Sequence, residues 1–235
     1  MRKFYYCCTP LLLSTLLYSL PGSSQNQMTL ANREGSNLSQ FERTISGRPV
    51  LEYGSDIQGT AFYSNDWTPG LVQLKDGKVA KGLPLRFNVH NNKVYFQREE
   101  TQLEFTEPIR AFWLGMDSNT AVLFRNGYTP IDKNDGETFY EVMVKGKVQL
   151  LKYRQKLLRE FSQLNMPKEK RFEDVDALYV FLPNYRIEKI KKNKNDILKA
   201  LPEYADAINK ILEANKLNLK NEEALITLFR ELNKE

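Results

Sequence analysis

Cysteine and histidine are almost absent from this sequence of 235 residues. Its two cysteines, Cys7 and Cys8, lie near the N-terminus, and its single histidine is His90. Beyond that N-terminal segment the chain can form no disulfide and use no cysteine nucleophile. One imidazole also excludes zinc sites built from several histidines, and His90 is the only histidine that could serve a Ser-His-Asp arrangement. His90 adjoins an Asn-Asn pair, so the favoured interpretation is that it is a solvated turn residue.

Motifs that mark other enzyme classes are missing as well. Residues 54–56 lack the Gly-x-Ser-x-Gly spacing of a nucleophile elbow, and no Gly-rich phosphate loop occurs. Residues 132–137 resemble a calcium loop, but Gly136 falls one position early, so a polar loop between strands is favoured. Glu99 and Glu100 are adjacent on a strand and point to opposite faces, so they cannot flank one bond. We therefore predict no catalytic residue, no metal site and no cofactor.

The N-terminus carries the pattern of a cleavable secretory signal peptide over residues 1–25. Arg2 and Lys3 precede an uncharged run over 4–20, which ends at Pro21-Gly22 and a group of small residues. A membrane anchor is the competing interpretation, but the run is short, interrupted by polar residues and not followed by cations. The sequence thus predicts a periplasmic or secreted protein with no transmembrane span after signal cleavage.

Removal of this segment takes away both cysteines and two cations. The formal net charge of +5 falls by two, and so small an excess does not favour nucleic acid as a partner. Residues 26–45 are rich in polar and charged side chains and predict a flexible lead-in.

Residues 46–149 predict β-structure, because their apolar side chains recur at every second position. Leu85, Phe87 and Val89 alternate with polar residues, and breaks such as 75–78 and 125–127 carry Asp-Gly and Asn-Gly turn chemistry. With roughly 8–12 residues for each strand and turn, about seven to nine antiparallel strands are expected. We expect this meander to form a sandwich or a half-barrel.

Residues 150–235 predict a mainly helical region packed on or beside the sheet. One helical stripe comprises Leu150, Leu151, Leu157, Leu158, Phe161 and Leu164. A single strand is expected over 176–181. Two further helices follow, one behind Pro202 and one with Asn221 as its N-cap. The fold class is therefore α+β: an antiparallel β-meander followed by helices.

Two groups of residues are candidate binding sites. Phe62, Tyr63 and Trp67 lie in a turn-rich segment, where aromatic rings can stack on sugars or anchor a protein partner, or else close the end of the β-core. Lys152, Arg154, Lys156 and Arg159 belong to the basic stretch 145–171, which can meet anionic lipid or acidic glycan, or else form a solvated helix face.

Several short blocks carry a family resemblance. They comprise residues 59–72, 85–89, 124–128, 139–142 with 150–152, 172–173 with 179–181, and the tail ending in Leu232-Asn233. In these blocks the chain resembles an uncharacterised family of exported, signal-peptide-bearing proteins from Bacteroidota. That family has no established activity, so the resemblance implies no site residue. It does imply a bacterial periplasmic or secreted location.

The leading hypothesis from the sequence is an exported, non-enzymatic binding or structural protein of the bacterial cell envelope. Its partner would be an envelope protein, a glycan or an apolar ligand. The alternative is a carboxylate-dependent hydrolase of an envelope or dietary polymer.

Overall fold

The computed structural model describes residues 45–50, 57–162 and 168–234, so the predicted signal peptide and nearly all of the lead-in lie outside the described residues. Within these ranges the chain forms fourteen strands followed by three α-helices. The strands are β1 (Gly47–Pro49), β2 (Ile57–Gln58), β3 (Thr68–Leu74), β4 (Val79–Asn88), β5 (Lys93–Arg98), β6 (Thr101–Phe105), β7 (Ile109–Leu114), β8 (Val122–Arg125), β9 (Tyr140–Val144), β10 (Gln149–Tyr153), β11 (Lys156–Phe161), β12 (Glu169–Asp174), β13 (Ala177–Phe181) and β14 (Ile187–Ile190). The helices are α1 (Lys194–Ala200), α2 (Ala205–Asn215) and α3 (Glu222–Leu232), and a 3₁₀ turn at Pro202–Tyr204 precedes α2.

Eleven of these strands form one large sheet. Its order is β1-β6-β5-β4-β3-β7-β8-β9-β10-β13-β14, and every neighbouring pair is antiparallel. The remaining three form a small sheet in the order β11-β12-β2, in which β2 is parallel to β12. The prediction of an α+β fold built on an antiparallel sheet is confirmed. Nine strands, β1 to β9, fall within 46–149.

The connection between β6 and β7 requires the large sheet to curve. These strands lie four positions apart in the sheet, a distance of about 19 Å if the sheet were flat. The chain from Phe105 to Ile109 spans at most about 14 Å. The sheet must therefore curl to bring β6 towards β7, and Phe105 and Ile109 indeed belong to one apolar cluster.

The helix predicted on the stripe from Leu150 to Phe161 is wrong, because this segment forms β10 and β11. Leu150 pairs with Val180, and Leu151 pairs with Tyr179. Both leucines are fully buried, since α-helices cover one face of the sheet and a tyrosine-rich cluster covers the other. A strand buried on both faces loses the alternation that identifies strands in a sequence. The helices begin at Lys194 instead.

Residues 150–235 contain strands as well as helices, and three narrower expectations for this region are confirmed. The strand expected over 176–181 is β13, and Pro202 opens the 3₁₀ turn that leads into α2. Asn221 is the N-cap of α3, where its side-chain oxygen accepts a hydrogen bond from the Glu223 N–H at 3.1 Å. None of the helices in the described ranges has the length and the apolar character needed to cross a membrane.

Two apolar clusters lie on the same face of the large sheet. The first is built on β3 to β8 and includes Phe87, Phe112 and Phe124. The second lies between β9, β10, β13 and the helices, where Leu150 and Val180 contact residues such as Phe229. Four residues lie opposite one another across the neighbouring strands β8, β9, β10 and β13. In that order they are Phe124, Glu141, Lys152 and Leu178. Since directly opposite residues share a face, two charged residues separate the two apolar clusters.

Candidate functional site

The aromatic residues of the 59–70 segment divide between two environments. Phe62 is buried and packs edge-on against Tyr95, with ring centroids 5.9 Å apart. The Arg86 guanidinium lies 3.8 Å from the centre of the Phe62 ring and 5.1 Å from that of Trp67. Phe62 and Trp67 thus hold Arg86 against the sheet by cation–π contacts.

Tyr63 faces the charged residues between the two apolar clusters. Its ring packs edge-on against Phe124 at 5.3 Å, and the Arg154 guanidinium lies 5.5 Å from its centre. The structure therefore brings together Tyr63 and Arg154, which belong to two separate candidate sites in the sequence.

Arg154 belongs to a chain of ion pairs that we call the charged seam, formed by Glu141, Arg154, Asp176, Lys152, Glu222 and Lys192. Arg154 Nε lies 2.6 Å from Glu141 Oε2, and its Nη1 lies 3.0 Å from Asp176 Oδ2. Lys152 Nζ lies 3.3 Å from the same Asp176 oxygen and 2.8 Å from Glu222 Oε2. Lys192 Nζ reaches that Glu222 oxygen at 3.3 Å. The seam joins β9, β10 and α3.

The formal charges of the seam balance, because its three acidic residues face three cations. Burial opposes ionisation of Glu222, but the hydrogen bonds and charges of Lys152 and Lys192 outweigh it and hold the pKa of Glu222 below its usual value. Burial likewise lowers the pKa of Arg154, but Glu141 and Asp176 more than compensate. Burial raises the pKa of Tyr63, and the nearby Glu141 adds to this effect. At neutral pH Tyr63 therefore remains a neutral phenol beside the seam.

A cleft of about 650 Å³ lies beside the seam, between β8, β9 and α3. Glu141 and Glu222 belong to both the seam and the cleft. The apolar part of its lining includes Leu71, Trp113, Leu123 and Ile226, and its polar part includes Ser118, Asn119, Lys145, Glu223 and Arg230. The cleft thus exposes polar and apolar surface in similar amounts, so one ligand could contact both kinds of side chain.

Lys156 and Arg159 lie on β11, away from the ion pairs of the seam. Lys156 Nζ lies 3.9 Å from Asp174, and Arg159 Nε lies 3.6 Å from Glu173. The described parts of the stretch 145–171 contain strands β10, β11 and the start of β12 and no helix, and much of their charge is neutralised across β11 and β12. Exposed pairs of this kind add little stability, but they reduce the positive field available to an anionic surface.

His90 attaches this hairpin to the large sheet and is not the solvated turn residue that we expected. Its Nδ1 lies 2.8 Å from the carbonyl oxygen of Lys156, and its ring packs against Phe172 at 5.3 Å. The neighbouring Asn88 is fully buried, and its side-chain oxygen accepts hydrogen bonds from the His90 and Asn91 N–H groups.

Two carboxylates of the acidic loop over 132–137 accept hydrogen bonds from other groups of the protein. Asp132 accepts hydrogen bonds from Lys189 and from the Tyr179 hydroxyl, and Asp135 accepts from the Glu137 N–H and the Thr138 hydroxyl. Within the described ranges, no group of three or more histidine, cysteine, aspartate or glutamate residues is placed to hold a metal ion.

A second cavity, of about 440 Å³, lies at the β4–β5 and β6–β7 turns. Its Glu104 is paired with Arg48 at 3.0 Å and with Lys93 at 3.2 Å. The cleft beside the seam differs in having charged side chains of both signs without an ion-pair partner in the described structure, namely Lys145, Glu223 and Arg230. For this reason the cleft is the better candidate site.

No protein-family model matches the chain, and neither a curated protein nor a solved structure shows significant similarity to it.

Proposed function

We propose that this chain is an exported, non-enzymatic binding protein of the bacterial cell envelope, and that its ligand occupies the cleft between β8, β9 and α3. The observation that carries the proposal is the lining of that cleft. It combines an indole, aliphatic side chains and unpaired charges of both signs in about 650 Å³. Such a lining suits an amphipathic ligand better than an ion or a purely apolar molecule.

The charged seam supports a binding role because it fixes one wall of the cleft. Glu141 and Glu222 are each held by cations of the seam, so their side chains are ordered before any ligand arrives. Preorganised groups lose less conformational entropy on binding.

The export and family parts of the proposal rest on the sequence alone. They are supported by the signal-like segment at 1–25 and by the resemblance to exported Bacteroidota proteins. The curvature required between β6 and β7 supports the half-barrel form of the sheet, which belongs to the same proposal.

The test uses Trp113 as a reporter of the cleft. The chain has two tryptophans, so the change Trp67→Phe leaves Trp113 alone and retains a ring against Arg86. We expect its fluorescence to change on titration with at least one class among soluble glycans, short peptides and lipid headgroups. If no class changes it, and none raises the melting temperature of the unmodified protein, the proposal is wrong.

A carboxylate-dependent hydrolase is a second candidate, supported by one observation. Glu141 and Asp176 lie on two nitrogens of a single guanidinium, at 2.6 and 3.0 Å, so two carboxylates are held near each other, and glycosidases use a pair of carboxylates. Arg154, however, lies between them and occupies the space that a scissile bond would need. Turnover of a glycan by the purified protein that disappears with Glu141→Gln would favour this candidate, whereas turnover is not expected from a binding protein.

A further inference from the structure

The ladder between β8 and β9 opens where it borders the cleft. Only two residue pairs join these strands, Phe124 with Glu141 and Arg125 with Tyr140. Yet β8 begins at Val122, and β9 continues to Val144. Residues 122–123 and 142–144 all line the cleft, and no ladder pair in the described structure joins the first stretch to the second.

Each of these stretches is already paired on its other side. Val122 and Leu123 pair with β7, and Val142 and Val144 pair with β10. Successive residues of a strand direct their main-chain groups to opposite sides, so alternate residues of each stretch direct theirs towards the cleft. The sides that face the cleft therefore resemble two short sheet edges inside the molecule, which carry main-chain donors and acceptors. An extended polypeptide carries both kinds of group at the spacing that a sheet edge requires.

The side chains around this opening favour a ligand that has alternating apolar side chains and a negative charge. Trp113, Leu71 and Ile226 provide apolar contacts for alternate side chains of a strand. Lys145 and Arg230 line the cleft without an ion-pair partner in the part of the chain that the structure describes, as does Glu223. Cations of the seam balance the charges of Glu141 and Glu222. The three unpaired side chains, Lys145, Arg230 and Glu223, therefore give the cleft a net charge of +1.

We propose that the ligand is an extended polypeptide segment, with alternate apolar side chains and a carboxylate, which binds by strand addition at the open β8–β9 ladder. This inference rests on the proposed function and names its ligand class. An extended stretch of another envelope protein has this chemistry.

The first experiment tests the main-chain bonds. The probe is a short capped peptide of alternating valine and threonine with one central glutamate, titrated into the Trp67→Phe protein. Two matched isomers carry N-methyl groups at odd or at even positions, because only one set of N–H groups can face a given edge. We expect one isomer to keep its affinity and the other to lose roughly fivefold for each donor removed. If both isomers bound as tightly as the unmethylated peptide, strand addition would be wrong.

The second experiment tests the charge preference. Replacing the central glutamate of the probe by lysine should weaken binding by roughly two- to fivefold at low salt, and the difference should shrink as salt is added. Arg230→Gln should reduce the difference, whereas Lys210→Gln, an exposed change on α2, should not. A lysine peptide that binds as tightly as the glutamate peptide would overturn this part of the inference.

Amide hydrogen exchange on the unmodified protein locates the contact independently of the tryptophan change. Added peptide should slow exchange within 122–123 or 142–144. If a glycan changes Trp113 fluorescence and the peptides do not, the proposed function stands and strand addition is wrong. If glycans, peptides and lipid headgroups all leave the fluorescence unchanged and none raises the melting temperature, both are wrong.

Discussion

At the scale of single residues, Lys152 is the most constrained charge of the seam. Its side chain is 10% exposed and bridges Asp176 and Glu222, whereas Lys192 contacts the same Glu222 with a side chain that is 41% exposed. Removing a cation from a poorly solvated pair leaves carboxylates without compensation, which costs far more than losing a surface pair.

We therefore predict that Lys152→Met lowers the free energy of unfolding by about 1–3 kcal/mol. The matched change Lys192→Met should cost at most about 0.5 kcal/mol, because the exposed ammonium already interacts with water. Urea unfolding followed by circular dichroism measures both. Equal effects of the two changes would show that burial does not set the strength of the seam.

The seam also predicts a dependence of stability on pH. The pKa of Glu222 is lower in the folded chain than its ordinary value of 4.5, so its ionised form stabilises the fold above that pH. This stabilisation is lost as the pH falls through the folded pKa. We expect Glu222→Gln to flatten the stability profile below about pH 4.5. Parallel profiles for the two proteins would contradict this assignment.

At the scale of elements, the end of α3 is hydrogen-bonded to the turn between β9 and β10. The Asn233 side chain accepts from the Val148 N–H at 3.0 Å and donates to the Val148 carbonyl at 2.8 Å. Gly146 in that turn has a φ of +144°, and a Cβ placed there would collide with the Asn233 amide. The turn thus needs glycine both for its backbone and for the approach of the helix end.

Gly146→Ala should consequently destabilise the protein by about 2–4 kcal/mol. Gly77 is a suitable control, since its φ is +90° but a Cβ there would meet nothing within 4 Å. Gly77→Ala should therefore cost only the backbone strain, about 1 kcal/mol. Thermal melts of the two variants separate collision from strain, and similar losses would contradict the proposed collision.

The elements also show where sequence patterns succeed and fail. Asn221 and Pro202 mark helix ends through contacts with neighbouring residues, so α3 and the turn before α2 were predictable. Leu150 and Leu151 lie on opposite faces of a strand that is covered on both sides, and their spacing also fits a helix. The covering elements are distant in sequence, so no local pattern identifies this strand.

The candidate site was only partly predictable for the same reason. Tyr63 was a candidate because it is an aromatic residue in a turn-rich segment. Lys152 and Arg154 were candidates because they are cations of a basic stretch. Glu141 and Trp113 occupy ordinary positions of alternating strands, and only the register of β7, β8 and β9 brings them to one cleft. The charged seam and the opening of the β8–β9 ladder both depend on which strands pair and in which register. Local sequence patterns do not specify that pairing.

At the scale of the whole molecule, the two apolar clusters share one continuous sheet and are separated by the charged seam. Trp67 contacts Arg86 on β4, a strand that carries part of the first cluster, while the helices contribute buried residues only to the second. Because the sheet runs through both clusters, we expect one cooperative transition.

Urea unfolding of the protein with Trp113→Phe, which leaves Trp67 as the fluorescent reporter, should have the same midpoint as the loss of helical circular dichroism. A helical signal that is lost at lower urea than the Trp67 signal would show that the second cluster unfolds by itself.

The bond between Asn233 and Val148 has a consequence for the speed of folding. It joins residues that lie 85 positions apart, and β1 pairs with β6 across a separation of 56. Contacts of such long range are made only after long loops have closed, and antiparallel sheets of this kind fold in about milliseconds to seconds. The chain would thus remain without its native fold for a relatively long time after synthesis. Such a delay would suit the export proposed above, because a chain without fixed tertiary packing can still be threaded through a narrow channel.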